Sequence, residues 1–473
     1  MPINFAPDKI KERICFENPW WETKEIDPHF ARMQKREYFH LLHPLVREER
    51  VKRAVVLMGP RRVGKTVLLF HVIQKLIDSG VNPRHICYLS IETPLFMGIG
   101  LEELLHLYFD LNSTDKNTPA YVFFDEIQYL KDWEIHLKSL VDSYHTIKFI
   151  VSGSAAAALK LKSNESGAGR FTEFILPPLT FYEFLKLTES ADLVKMVEAD
   201  NEEGFEYYSP NIKALNRRFL SYLNFGGYPE VSLSEVIQSD PGRYIRNDII
   251  DKVLLRDLPS LYGIQDIQEL NSLFTYIAWH SGSEISLDQL SQSSGVSKNT
   301  VRKYFTYLEA AFLIKIIPRI DQSGKKFNRS NLFKIYLTNP SLRSALFTPA
   351  SESDDLFGQL VETAIYSQWN HTHSQPLYYA RWKGGEIDIV SLNERQKPSW
   401  CIEIKWTNRF FQKPGELKSL HSFCKTHEIR SAVVTTLDTT GVHTTKDGVT
   451  YEYLPASLYC YTVGRQIIEG KRY

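Results

Sequence analysis

The apolar residues of this chain fall into short unbroken runs and into helical stripes, and their order carries information. Residues 54–58 read Ala-Val-Val-Leu-Met. An unbroken run rich in β-branched residues predicts a strand covered on both faces, as in a parallel sheet. Val67 to Ile77 then shows helical spacing and stops at Asp78-Ser79-Gly80. Tyr121 to Phe124 and Ile147 to Val151 predict two more buried strands, and Phe171 to Leu176 is strand-like. Residues 185–280 are patterned mostly as helices, with a turn at Asn224-Phe-Gly-Gly-Tyr-Pro229. There Gly226 and Gly227 suit a tight turn better than a ligand contact.

The following segment predicts a helix-turn-helix. Ser286 to Gln292 is a short helix with Leu287 and Leu290 inward, Ser293 to Ser297 turns, and Lys298 to Leu308 is a second helix. Val301, Phe305, Leu308 and Phe312 recur at helical spacing on one buried stripe, which leaves Lys298, Arg302 and Lys303 on the other side. Ala311 to Ile317 would begin a wing. In the last third, a helix begins at Gly358, and strands are predicted over Leu377 to Trp382 and Trp400 to Lys405, with Asp388 of the segment Gly384 to Val390 on a strand between them.

Composition narrows the class. At about 150 residues per domain, 473 residues suggest roughly three domains. Apolar residues make up 43% and charged residues 24%, which is globular and excludes a disordered, collagenous or coiled-coil chain. With 56 basic and 56 acidic residues there is no net charge, so a polyanion site must be local rather than a general basic coat. Cys15, Cys87, Cys401, Cys424 and Cys460 are scattered without a CxxC pair, which fits a reducing cytoplasm and neither a disulfide framework nor a structural zinc. No signal-peptide pattern opens the chain, and no apolar stretch approaches the roughly 20 residues that span a bilayer.

The first strand runs directly into Gly59-Pro60-Arg61-Arg62-Val63-Gly64-Lys65-Thr66, and a helix follows. Strand, glycine-bounded loop and helix are the context of a P-loop. Gly59 and Gly64 let backbone N–H groups close on phosphate oxygens, and the helix N-terminus adds a favourable field. Lys65 would reach the β- and γ-phosphates of ATP and Thr66 would hold Mg²⁺. The strand Tyr-Val-Phe-Phe ends in Asp125-Glu126, a Walker B pattern: Asp125 for Mg²⁺, Glu126 to orient and polarise the attacking water. Ser152 or Ser154, at the end of the next strand, suits a sensor of the γ-phosphate or a plain small-residue turn. Arg170, after the Gly-rich loop Ser163 to Gly169, suits either an arginine finger, in cis or from a second copy in a homo-oligomer, or a structural role.

These motifs, with Trp133, Leu137-Lys138, Ser152-Gly-Ser, Gly169-Arg and Leu176-Pro-Pro-Leu-Thr-Phe-Tyr-Glu-Phe184, occur in one order. In that order they resemble the prokaryotic AAA+-type ATPases that carry a C-terminal domain of unknown function. The resemblance covers nearly the whole chain and implies a core of parallel strands flanked by helices, ATP hydrolysis and a helical lid after the core.

A second set of chemical residues lies near the C-terminus. A helix carrying Glu362, a strand carrying Asp388, and Glu403-x-Lys405 on the next strand match the PD-(D/E)xK nuclease pattern. Glu362, Asp388 and Glu403 would hold one or two Mg²⁺ or Mn²⁺ ions beside a phosphodiester, and Lys405 would orient the water or neutralise the transition state. Glu386 shares the Asp388 face and is either a ligand or a solvated carboxylate. His371 and His373, in a polar loop, are poor candidates for a metal.

The expected architecture is α/β: an N-terminal helical segment (1–48), a P-loop NTPase core with a parallel sheet (49–184), a helical lid (185–283), a winged helix (284–337) and a PD-(D/E)xK-like α/β domain (338–473). The expected function is ATP binding and hydrolysis with action on nucleic acid, DNA favoured, through the winged helix and a metal-dependent PD-(D/E)xK nuclease-like domain. The rival is a regulatory ATPase whose C-terminal domains bind partners without cutting.

Overall fold

The unbroken apolar runs do become buried strands. In the computed structural model, β1 (Ala54–Met58), β2 (Ile86–Ser90), β3 (Ala120–Asp125), β4 (Ile147–Gly153) and β5 (Phe171–Ile175) form one sheet in the order β2-β3-β4-β1-β5, with every pairing parallel. All five residues of β1 and all six of β3 are buried. Residues 7–48, 50–154, 169–198, 205–326, 331–369 and 376–470 are described. His371, His373 and the Gly-rich loop before Gly169 lie outside them.

The chain divides into two compact units, Met1–Pro177 and Pro178–Tyr473. The first contains the parallel sheet. Parallel strands all point their C-terminal ends to one edge, so the loops after β1, β3 and β4 gather there. The edge strand β2, not singled out in the sequence, would expose a row of backbone groups. The N-terminal segment covers them with side chains. Asn18 Nδ2 donates to the Tyr88 carbonyl (2.8 Å) and its Oδ1 accepts from the Tyr88 amide (2.6 Å). The indoles of Trp20 and Trp21 donate to the Ile86 carbonyl, and Glu17 accepts from the Ser90 amide.

The second unit opens differently from the expected boundary at residue 184. Pro178 to Phe184 belongs to it, because Thr180 and Glu183 form a capping box for the helix Phe181–Leu187 and the Phe181 amide donates to Gln368. The region expected to be a helical lid also contains a hairpin of β6 (Lys195–Glu198) and β7 (Phe205–Tyr208) between its helices.

The helix-turn-helix consists of Leu287–Ser294 and Lys298–Ala310, and Leu287, Leu290, Val301, Phe305 and Leu308 are buried. Phe312 leaves the expected stripe: the helix ends at Ala310 and Phe312 adopts a left-handed backbone (φ 59°) that turns the chain into the next strand. Three strands accompany these helices, β8 (Glu284–Ser286), β9 (Ile314–Ile320) and β10 (Leu332–Leu337). They do not form a separate wing. Together with β11 (Leu377–Trp382), β12 (Gly385–Leu392), β13 (Pro398–Glu403), β14 (Ser431–Thr436), β15 (Gly441–Thr444) and β16 (Thr450–Pro455) they make one mixed nine-stranded sheet, ordered β15-β16-β14-β13-β12-β11-β9-β10-β8. The junction is the parallel pair β9–β11, with Tyr379 opposite Arg319. One sheet therefore runs across the expected boundary at residues 337 and 338.

Asn18→Ala should unsatisfy both backbone groups of Tyr88 at once. Hydrogen exchange at the Tyr88 amide should lose about 1–3 kcal/mol of protection, the cost of a buried group without its partner; unchanged exchange would mean that Asn18 does not seal the edge.

Candidate functional site

Two clusters of buried charge stand out, one in each unit. In the first, the loop after β1 enters the helix Lys65–Asp78 through Gly64, whose φ of 91° suits glycine. Gly59 serves a different purpose from the one its motif position suggests: a Cβ there would lie 2.2 Å from the Leu176 carbonyl oxygen, so the close approach of the β5 exit requires glycine. Lys65 is buried and its ammonium donates to the carbonyls of Gly59 (3.1 Å) and Pro60 (2.8 Å). Arg36, which sequence reading missed, braces the loop by donating to the carbonyls of Val63 (2.7 Å) and Pro177 (3.1 Å).

Asp125, 2% exposed at the end of β3, is the centre of the cluster. Its Oδ2 accepts from Thr66 Oγ1 (2.8 Å) and from the Tyr88 hydroxyl (2.7 Å), and its Oδ1 accepts from Ser152 Oγ and the Glu126 amide. Burial and the Asp125 charge push the Tyr88 phenol well above its usual range, so it stays a donor. Glu126 has a left-handed backbone (φ 53°), a conformation costly outside glycine and common at functional sites. Its carboxylate accepts from Gln128 Nε2, and Gln128 Oε1 accepts from the Ser154 amide. Among the described residues Ser154 Oγ is buried without a hydrogen-bond partner. The structure thus gathers Lys65, Thr66, Asp125, Glu126 and Ser152 at the end of the parallel sheet. It does not bring Arg170 there. The Arg170 carbonyl accepts from the Ala54 amide where β1 begins, a strand length of about 16 Å from the loop that follows β1. Its guanidinium pairs with Asp142 (3.1 Å), so a finger on its own chain's phosphates does not fit this position.

Thr66 Oγ1 and the Asp125 carboxylate are hard oxygen donors meeting beside a helix N-terminus. That donor set fits Mg²⁺ with a nucleoside triphosphate.

The second cluster joins four elements. Glu362 comes from the helix Phe357–Trp369, Glu386 and Asp388 from β12, Glu403 from the end of β13, and Lys334 from β10. Lys405 follows β13 rather than continuing it, because its amide and carbonyl bond the Thr435 hydroxyl (2.7 and 2.8 Å) instead of a neighbouring strand's backbone. Its ammonium still reaches Glu403 (2.8 Å) and Asp388 (3.5 Å). Lys334 and its strand neighbour Tyr336 were missed by sequence reading. The Lys334 side chain is 3% exposed, and its ammonium lies 2.7 Å from Glu362, 2.7 Å from Glu386 and 3.6 Å from Asp388. Tyr336 also donates to Glu362. Arg381 joins Glu386 (3.3 Å) to Glu284 (3.6 Å), which extends the network to β8.

Burial pushes Glu403 up to about 8 and Glu362 up to about 7, with the Asp388 charge adding to both. Burial also opposes the charge of Asp388, but Lys405, Lys334 and the Ile404 amide outweigh it and hold Asp388 below its usual range. Among the described residues Glu403 Oε2 is buried without a hydrogen-bond partner. The oxygens expected to hold Mg²⁺ or Mn²⁺ instead converge on ammonium groups. Among the described residues no three His, Cys, Asp or Glu side chains are arranged to hold a metal ion, so the set as it stands does not fit one.

Residues 51–185 match a family model described as an AAA domain, and residues 216–353 match one described as a domain of unknown function (DUF8612). The chain is 25% identical over 364 residues to the uncharacterized protein MJ1544 of Methanocaldococcus jannaschii, covering 75% of this chain and 76% of that one. It is 26% identical over 293 residues to an uncharacterized protein of Haemophilus influenzae, covering 61% and 68%. Among solved structures, DnaA from Aquifex aeolicus bound to AMPPCP is similar at 14% identity, covering 60% of this chain and 92% of that one, with a TM-score of 0.30, an overlap too small to assign anything. Match and geometry together make residues 51–185 an AAA-type P-loop ATPase domain. No helix among the described residues is long and apolar enough to cross a membrane.

Tyr88 holds the carboxylate of Asp125 through its hydroxyl. Tyr88→Phe should raise the Mg²⁺ concentration for half-maximal ATPase activity about 10-fold or more, as loss of a bond behind a metal ligand does. An unchanged Mg²⁺ requirement would remove Tyr88 from the site.

Proposed function

We propose that this protein hydrolyses ATP at the Lys65–Asp125 centre and acts on nucleic acid, DNA favoured, through the helix-turn-helix of residues 287–310. The observation that carries the first part is the convergence of Thr66, Tyr88 and Ser152 on the buried carboxylate of Asp125. Lys65 exchanges two neutral carbonyls for charged phosphate oxygens, a stronger set of bonds. Mg²⁺, when bound, neutralises charge on the β- and γ-phosphates. Thr66 and Asp125 fix its position, and Glu126, held by Gln128, orients and polarises the water. Lys65→Ala should abolish tight ATP binding. Glu126→Gln should bind ATP normally and hydrolyse none, because the Mg²⁺ position survives while the water loses its base. Wild-type turnover by Glu126→Gln, in a phosphate-release assay, would overturn the assignment.

Support for the second part is the exposed row Lys298, Arg302 and Lys303 on the second helix. Lys298 pairs with Asp288 at the foot of the first helix, and Arg302 donates to the Asn331 side-chain oxygen (3.4 Å), while all three cations are exposed. On this reading residues 284–337 are a winged helix whose wing is fused into the C-terminal sheet. Replacing all three cations by alanine should weaken DNA binding. It should also flatten the salt dependence by up to about 0.9 in log–log slope for each DNA phosphate that is no longer neutralised. An unchanged slope would assign the element to protein contacts.

A second reading is favoured by one observation: Glu362, Asp388, Glu403 and Lys405 meet in one cluster in the order of a PD-(D/E)xK nuclease. It would make residues 338–473 a metal-dependent phosphodiesterase rather than a domain that only binds partners. Incubating plasmid or single-stranded DNA with Mg²⁺ or Mn²⁺, with and without ATP, decides it: cleavage by the wild type that Asp388→Ala abolishes supports a nuclease, and no cleavage supports the regulatory ATPase.

A further inference from the structure

Three carboxylates turned toward one buried point are how a protein builds a cation site, and in this domain the point is filled. Glu362 approaches from a helix, and Glu386 and Asp388 approach from β12. Lys334 arrives from β10, two strands beyond β11 in the sheet, and delivers its ammonium among them at 2.7, 2.7 and 3.6 Å. A lysine this deeply buried survives only when its charge is fully matched. Here it is matched by the residues that a divalent ion would need.

The placement is built rather than incidental. Lys334 sits in a strand paired on both sides, with β9 and β8. Its ammonium lies over the Tyr379 ring, 5.5 Å from the centroid. Tyr336, on the same face of β10, donates to the same Glu362. The other half of the cluster is closed as well, since Lys405 bridges Asp388 and Glu403. A Mg²⁺ ion would need oxygen ligands at about 2.1 Å. Those oxygens already face an ammonium, and two cations in the same pocket would repel.

We propose that the ammonium of Lys334 stands in place of the divalent cation, so that the nuclease-like centre is complete without metal, binds none and does not cut. It serves instead as an ionic clamp between the wing strands and the C-terminal part of the sheet. The inference rests on the PD-(D/E)xK-like reading of this domain and reverses its metal-dependent branch.

The test is Mn²⁺ binding to the full-length, nucleotide-free protein, followed by electron paramagnetic resonance of free Mn²⁺ and by calorimetry. Asp388→Ala separates this centre from any ion at the P-loop. In the wild type, Asp388→Ala should change nothing in the Mn²⁺ isotherm. Lys334→Met keeps the buried stem and removes the charge. It should gain one Mn²⁺, with affinity at the centre raised at least about a thousandfold, the order expected for deleting a unit charge a few ångströms away at the effective dielectric of a protein. The gain should vanish in the double variant Lys334→Met, Asp388→Ala. Wild-type Mn²⁺ binding that depends on Asp388 would overturn the proposal, and so would a folded Lys334→Met that gains no ion. If Lys334→Met is unfolded by circular dichroism, refolding on addition of Mn²⁺ supports the proposal and failure to refold overturns it. The outcome is separable from the nuclease question. Asp388-dependent Mn²⁺ binding without DNA cleavage defeats this proposal and the nuclease together, whereas binding with cleavage defeats this proposal alone.

Discussion

A charge removed from water needs a partner, and this chain meets that constraint in two ways. The partners of Asp125 among the described residues are three hydroxyls and an amide. They orient the carboxylate and stabilise its charge without cancelling it, so it remains available to a cation that arrives with a ligand. Asp388 lies against two ammonium groups, those of Lys334 and Lys405, and its charge is already met. The two aspartates look alike along the chain, each on a short apolar strand with a glutamate within two residues. Their surroundings give them different chemistry.

The sheets decide which surroundings each one gets. In the first unit every strand is parallel, so the loop after β1, the end of β3 and the end of β4 converge without any special device. The open edge this leaves at β2 is closed by side chains of Asn18, Trp20 and Trp21, and the same strand sends Tyr88 to Asp125. Protection of the edge and orientation of the site therefore share one strand. In the second unit the strands that accompany the helix-turn-helix continue into the C-terminal sheet through β9 and β11. That continuity is what allows a lysine from β10 to enter a carboxylate cluster made by β12, β13 and the helix Phe357–Trp369.

Much of this was legible in the residues. The runs 54–58, 121–124 and 147–151 marked buried strands because full burial leaves no polar alternation to blur the signal. The loop from Gly59 to Thr66 and the pair Asp125-Glu126 marked a phosphate site because close backbone approach and metal ligation restrict residue choice at fixed spacing. The helix-turn-helix was readable from its stripe up to Leu308, and only Phe312 left it, since a left-handed residue that ends a helix cannot be inferred from periodicity. The sequence around Arg170 suits an arginine finger, but the residue lies where β1 begins and its guanidinium meets Asp142, a placement that depends on strand pairing rather than on its neighbours in sequence.

Tyr88, Arg36, Lys334 and Tyr336 carried no such signal. Each is a single polar residue in an otherwise ordinary segment, and Lys334 in Leu-Phe-Lys-Ile-Tyr-Leu looks like the solvated position of a strand. By itself the sequence determined the elements and the local motifs, because propensity, burial pattern and phosphate-loop geometry act over a few neighbouring residues. Only the tertiary structure decided which charges face which. Electrostatic pairing depends on distance in space, and nothing in the spacing between residues 334, 362 and 388 reveals that their side chains meet.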